Sequence, residues 1–320
     1  MNREIHLCAA PIYGNHTLRV QFGDICCALI CHDTEVFSRL NESYSIFLSD
    51  EPTDISFKLE VVDRLDRAQV ETVLSQTRIV RQGNHLVATN LALDVEFDAA
   101  SSTFAVTADR CLFDSSLEFK VMNRLFSMAY YTVSQAKHQG RPPAILVHSC
   151  GILRNGQVLL FTGPCGMGKT TIGRLCGEEY GLLLNDEALL LSWPHPDNGG
   201  LRVRGVPILS ELPFRLNTSA PLARVLLLKQ SKRTAVRRLD RMEAYLRFMR
   251  QIINPAHFRQ TDKRAIFSLI AEFTDEVTKV TPFYELEFIL DRNLLWEAEA
   301  KLAELKITEK ACDRRSDSAG

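Results

Sequence analysis

The sequence predicts an α/β chain, α+β overall: a β-rich N-terminal domain followed by a domain in which strands and helices alternate. Three observations predict it. Up to about residue 112 the chain is a series of short apolar or alternating runs separated by turn signals. Residues 159–173, "LLFTGPCGMGKTTIG", pass from an apolar strand through a glycine-rich turn into a helix. Beyond residue 181, strand-like runs such as "ARVLLLK" and "FYELEFIL" are interleaved with segments of helical periodicity.

Taken in order, "HTLRVQFG" (16–23) alternates, "DICCALICHD" (24–33) is a compact apolar run, and "DISFKLEVVD" (54–63) alternates again. Between the last two, "DTEVFSRLNESYSIF" (33–47) predicts a helix, with Asp33 or Thr34 able to accept from its first free backbone N–H groups. "QGN" (82–84) and "DAASS" (98–102) each divide a pair of strand-like halves. "LEFKVMNRLFSMAYYTVSQAKHQG" (117–140) predicts a long helix with Leu117, Val121, Leu125, Met128 and Val133 near one face, stopped by Gly140. In "AILVHSCGILRNGQVLLFTG" (144–163) two apolar runs flank Asn155-Gly156, a strong hairpin signal. "TTIGRLCGEEY" (170–180) is a short helix, and "GLLLNDEALLLS" (181–192) a very apolar segment interrupted by Asn185, Asp186 and Glu187. Strand, loop, helix and strand form a βαβ unit, so the acid pair is expected on a strand beside the loop strand. Helices are expected at 240–253, 264–278 and 294–306. The resulting domains are 1–115 (β-rich), 116–142 (connecting helix), 143–308 (loop-bearing domain) and a polar, flexible tail at 309–320.

A chain of 320 residues with 46% apolar residues is long enough for one or two full cores. The formal net charge of −1 gives no basic field to attract nucleic acid, so none is expected as a partner. The nine cysteines (8, 26, 27, 31, 111, 150, 165, 176 and 312) lie mostly in apolar runs without a C-x-x-C pair. Reduced, buried thiols of a cytoplasmic protein are expected. The start carries no signal-peptide core, and no run reaches the roughly 18 apolar residues of a membrane span. The sequence is compatible with a homo-oligomer.

The chemistry concentrates at Gly163-Pro164-Cys165-Gly166-Met167-Gly168-Lys169-Thr170-Thr171, which fits G-x-x-x-x-G-K-[ST]. Glycines let the backbone turn tightly and aim N–H groups at phosphate oxygens, and the following helix adds its positive dipole end. Lys169 is expected on the β- and γ-phosphates and the Thr170 hydroxyl on Mg²⁺, which makes ATP and Mg²⁺ the expected cofactors. Asp186 and Glu187 stand between "LLL" and "ALLL", and charges set in a core need a partner such as a metal. One can hold Mg²⁺ and the other can take a proton from an attacking hydroxyl. His148 is expected to start a strand next to the loop strand, and Arg202, Arg204 and Glu211 flank "GVP" at 205–207. Cys165 reads as a structural loop residue.

The stretch from His148 to about Glu211 resembles the catalytic core of the HPr kinase/phosphorylase family, whose phosphate loop is shared in broad form with ATP-dependent phosphoenolpyruvate carboxykinase. The matching pieces are "VHSCGILRNGQVLLFTGPCGMGKTT", "GLLLNDEALLL" and "VRGVP", about 65 residues in all. The spacings agree as well, with 15 residues from His148 to Gly163 and 17 from Lys169 to Asp186. The resemblance implies that Asp186 acts as base toward a serine hydroxyl, that Glu187 helps hold Mg²⁺, and that His148 lies near the phosphates with Lys169 and Thr170. This chain departs from the family pattern at Glu187 (usually aspartate), Thr171 (usually glutamate) and Arg202 (usually an acid). The first 112 residues do not resemble the family's N-terminal domain.

The expectation is therefore a Mg-ATP-dependent kinase transferring the γ-phosphoryl group to a serine-like hydroxyl of a peptide, protein or small molecule. The alternative is a nucleotide-binding regulatory or scaffold module without phosphotransfer. A plain GTPase is disfavoured, because no N-K-x-D signature is present.

Overall fold

The computed structural model describes residues 16–63, 65, 78–82, 85–89, 93–113, 117–194, 200–253, 263–289 and 291–317. Their contacts divide the chain into two units, one of Met1–Val20 with Cys26–Leu117 and the other of Gln21–Ile25 with Glu118–Gly320.

The first sheet contains β1 (His16–Phe22), β2 (Ile25–Cys31), β3 (Ile55–Val62), β4 (Arg78–Gln82), β5 (His85–Thr89), β6 (Leu93–Asp98) and β7 (Thr103–Asp109). Their order is β1-β2-β3-β7-β6-β5-β4. β2 and β3 pair in parallel, so the chain needs a crossover, and α1 (Thr34–Tyr44) supplies it. Asp33 is its N-cap: the carboxylate accepts from Val36 N at 2.9 Å. The β6–β7 hairpin closes over 99–102 with Asp98 opposite Thr103. β4 and β5 pair antiparallel as expected, while the "QGN" turn includes residues outside those described.

The main part of the second unit opens with α2 (Leu117–Lys137), which belongs to it from Glu118 onward. Val121, Leu125 and Met128 are buried as their spacing implies, but so are Met122, Phe126, Ala129, Tyr130 and Tyr131, whereas Val133 is only half-buried. The helix is therefore covered on more than one face. It ends before Gly140, whose φ of +92° and bond to Gln135 O (2.7 Å) make the turn that follows.

The second sheet is built from β8 (Ala144–Val147), β9 (Ser149–Arg154), β10 (Gln157–Thr162), β11 (Leu182–Asn185), β12 (Leu189–Ser192), β13 (Arg202–Arg204), β14 (Ser219–Gln230), β15 (Ala235–Arg238) and β16 (Phe283–Phe288). The path is β11-β9-β10-β14-β13-β12-β8, with β16 on β14 and β15 on β16. α3 (Lys169–Tyr180), α4 (Arg241–Phe248), α5 (Lys263–Val280) and α6 (Leu294–Asp317) complete the unit. α6 continues through 309–317, where the sequence reading places a flexible tail; the Glu, Lys, Ala and Arg residues there favour helix.

Long β14 joins the two halves of this sheet. Its first residues pair antiparallel with β13, and its remainder pairs in parallel with β10 on one side and β16 on the other. The Asn155-Gly156 hairpin forms as its dipeptide dictates, with φ of +50° and +75° and Gln157 opposite Arg154. That hairpin also corrects the expected strand order. β9 occupies the edge of β10 that β11 would have taken, so β11 pairs with β9 and is one strand removed from the loop strand.

Apolar packing fixes the loop helix to the sheet. Ile172 and Cys176 of α3 are buried with Phe161, Leu226, Leu286 and Phe288 in one cluster. Each of the Ile, Leu and Phe side chains contributes about 1.5–3 kcal/mol on burial, so the loop helix is held to the sheet by its apolar face.

Candidate functional site

Gly163 to Gly168 connect β10 to α3 at the C-terminal end of the sheet's parallel core, formed by β10, β14 and β16. Gly166 and Gly168 adopt φ of +78° and +98°, a region that side-chain-bearing residues avoid. At Gly168 a Cβ would also lie 3.0 Å from the Phe288 ring. The loop is tied internally by Met167 N donating to Pro164 O (3.3 Å), and externally by Gln230 Nε2 donating to Gly166 O (3.0 Å). Pro164 and Cys165 are exposed, while Thr170 and Thr171, half-buried, occupy the first turn of α3. Their backbone N–H groups are among those left free of helical partners at the helix start.

Lys169 is 6% exposed, and its ammonium donates to Gly163 O (2.8 Å) and Pro164 O (3.2 Å). Burial lowers its pKa from the ordinary lysine value, against the opposing pull of nearby anionic groups led by Glu187.

Between β11 and β12 the chain leaves one half of the sheet for the other, since β11 pairs with β9 and β12 with β8 and β13. Asp186 and Glu187 occupy that crossing. Asp186 is 2% exposed, and its buried Oδ1 has no hydrogen-bond partner. It lies against α3, where a Cβ on Gly173 would be 3.4 Å from Asp186 Cβ. The Glu187 side chain is about half exposed at 45%. Desolvation raises its pKa, Lys169 opposes the shift, and Asp186 and Glu211 add to it.

His148 sits between β8 and β9. Its Nδ1 lies 2.7 Å from Glu187 O and 3.6 Å from Glu187 Oε1. A carbonyl only accepts, so Nδ1 carries the proton and Nε2 keeps its lone pair in the neutral ring. Desolvation and the Lys169 charge lower the pKa of His148, favouring that neutral form.

Three charged residues of the "GVP" region behave differently. Arg202 is engaged elsewhere, its guanidinium donating to Ser219 Oγ (3.2 Å) and Ser219 O (2.8 Å). Arg204 Nε is buried without a partner. Glu211 makes an exposed pair with Arg174 of α3 at 3.5 Å.

The charges of Lys169 and Asp186 act on His148 and Glu187, with Glu211 also acting on Glu187, while the Arg202 guanidinium is bonded to Ser219. Two further residues support these groups without a motif to announce them. Thr162, fully buried at the end of β10, donates to His148 O at 2.7 Å. Asn185 binds around the acid pair and the segment at 206–208. An asparagine set among leucines was the available signal for the second.

The cysteines at 26, 27, 31, 150 and 176 are buried free thiols, whereas Cys165 is exposed and Cys111 partly so. Among the described residues no helix is long and apolar enough to cross a membrane. A scan against protein-family models matches no family, and a search of curated proteins finds no similar sequence.

Proposed function

We propose that this chain is a Mg-ATP-dependent phosphotransferase, similar to HPr kinase/phosphorylase, that moves a γ-phosphoryl group to a hydroxyl of a peptide, protein or small molecule. The observation that carries the reading is Asp186: a carboxylate 2% exposed with an unpartnered Oδ1, in electrostatic reach of the phosphate-loop lysine. A buried carboxylate without a partner is costly to maintain. A hydroxyl proton or a bound cation at that position would supply the partner.

The residues fit a Mg-nucleotide better than a free cation. Among the described residues no cluster of three or more His, Cys, Asp and Glu side chains converges as a metal site. Mg²⁺ usually takes one or two carboxylates and completes its shell with phosphate oxygens and water. Thr170 and Glu187 are the residues assigned to hold it, and bound Mg²⁺ would neutralise charge on the β- and γ-phosphate oxygens. The protein's own groups do the rest. The loop N–H groups and Lys169 orient the phosphates, Asp186 accepts the proton of the attacking hydroxyl, and the neutral His148 ring keeps a free acceptor at Nε2.

A regulatory nucleotide-binding module is the second reading. It is favoured by Arg202, which stands in place of an acid and is held by Ser219. Transfer of label from γ-³²P-ATP to acceptors encoded beside this protein separates the two. ATP consumption without a labelled acceptor across that set counts against the phosphotransferase.

Lys169→Ala removes a charge-assisted contact to phosphate. Such contacts contribute about 1.5–3 kcal/mol, so ATP affinity is expected to fall by roughly 10- to 100-fold. Titration calorimetry checks it, and unchanged affinity would show that this loop is not the phosphate site.

A further inference from the structure

We infer that Asn185 is the positioning residue that sets the acid pair against the phosphate loop. The inference rests on the phosphotransferase reading of the site. Asn185 ends β11 and is fully buried. Its Oδ1 accepts from Glu187 N (2.7 Å) and Ala188 N (3.2 Å), which closes the chain into an Asx turn around Asp186. Its Nδ2 donates to Ile208 O (2.7 Å), with Val206 O at 3.5 Å. One amide therefore fixes the turn from inside and pins it to the 206–208 segment.

The turn in turn orients the other groups. Glu187 O receives His148 Nδ1 (2.7 Å) and Ser149 N (3.2 Å). His148 O receives Thr162 Oγ1 (2.7 Å), and Thr162 is followed directly by Gly163, whose carbonyl receives Lys169 Nζ (2.8 Å). A continuous path of hydrogen bonds and backbone thus runs from Ile208 through Asn185, Glu187, His148 and Thr162 to Lys169. Every named side chain on it except Glu187 and His148 is less than a tenth exposed. Asp186 itself makes no hydrogen bond through Oδ1, so its direction is imposed by the turn. Asn185 is the only side chain shown bonding across that turn among the described residues.

A polar group of this kind acts on metal and phosphate through the residues it orients, and loss of such a partner typically weakens metal affinity by about 10–100-fold. Three proteins are compared by calorimetric titration with ATP in the presence and absence of Mg²⁺, and by thermal melting: wild type, Asn185→Ala and Asn185→Ser. In Asn185→Ala the gain in ATP affinity that Mg²⁺ confers on wild type is expected to shrink by about tenfold, with Mg²⁺-free affinity within about twofold. Asn185→Ser keeps a hydroxyl able to accept from Glu187 N, and it should restore most of that gain even though the bond to Ile208 O is lost. If Asn185→Ala does not fold, Asn185→Ser decides alone: a small but measurable loss of that gain supports the positioning role, and a gain equal to wild type overturns it. A fall in melting temperature with an unchanged Mg²⁺ effect overturns the positioning role and leaves the phosphotransferase reading standing. A wild type that binds no ATP overturns both.

Discussion

Asp186→Asn is expected to lower the rate of phosphoryl transfer by about 10²–10⁴-fold while leaving ATP affinity nearly unchanged. The exchange preserves shape and removes proton acceptance. The loop, Lys169 and Glu187 stay in place, so the phosphates keep their contacts. The site offers three roles for this carboxylate, and each has its own outcome. As the base, it loses turnover alone. As a ligand of Mg²⁺, it loses turnover and Mg-ATP affinity together. As a turn residue only, it changes neither. The burial of Asp186 and its unpartnered Oδ1 argue against the third, because in a purely structural turn that oxygen would be solvated or bonded. Single-turnover transfer and calorimetric ATP titration on the same variant distinguish all three, and wild-type transfer rates would remove Asp186 from the mechanism. Stability gives an independent reading. Neutralising the carboxylate relieves its desolvation but also removes its attraction to buried Lys169, so Asp186→Asn should shift the melting temperature only slightly.

Much of this site is legible because its residues carry their constraint locally. The Gly163–Gly168 loop turns through positive φ at two positions, and Gly166 and Gly168 supply it. The burial of Asp186 follows from the leucines on both sides of it, and Asn155-Gly156 forces its own hairpin turn. Long-range placement was harder to read. Nothing in "GLLLNDEALLLS" says that its two halves join opposite halves of one sheet, because a continuous apolar run looks the same whichever strands flank it. The position of β9 between β10 and β11 depends on which edge the hairpin covers, and hydrophobic pattern does not encode that choice. Strands as short as β13 and β15, of three and four residues, fall below the length at which alternation registers. Asn185 was visible only as an interruption, since its partners at 206 and 208 lie more than 20 residues away.

Gly205→Ala is expected to be the most destabilising single-methyl substitution near the site, at about 3 kcal/mol, the upper end of the usual overpacking range. A Cβ at this position would lie 1.8 Å from Leu216 O and 3.0 Å from Leu216 C. Those atoms are backbone, so no rotamer change relieves the clash. The surrounding hydrogen bonds also resist movement: Gly205 N donates to Thr218 O (3.0 Å), and Leu216 N donates to Leu184 O (3.0 Å). Pushing Leu216 away loosens the end of β11 immediately before Asn185, so lost stability should be accompanied by weaker Mg-ATP binding in whatever fraction stays folded. Gly140→Ala provides the contrast. No atom lies within 4 Å of a Cβ there, and the cost comes only from its φ of +92°, about 1–2 kcal/mol. Urea unfolding of the two variants should therefore rank Gly205→Ala well below Gly140→Ala, with only the former affecting nucleotide affinity. Equal midpoints, or a Gly205→Ala protein with wild-type stability, would show that the backbone at Leu216 yields and that the close approach does not hold the acid-bearing turn in place.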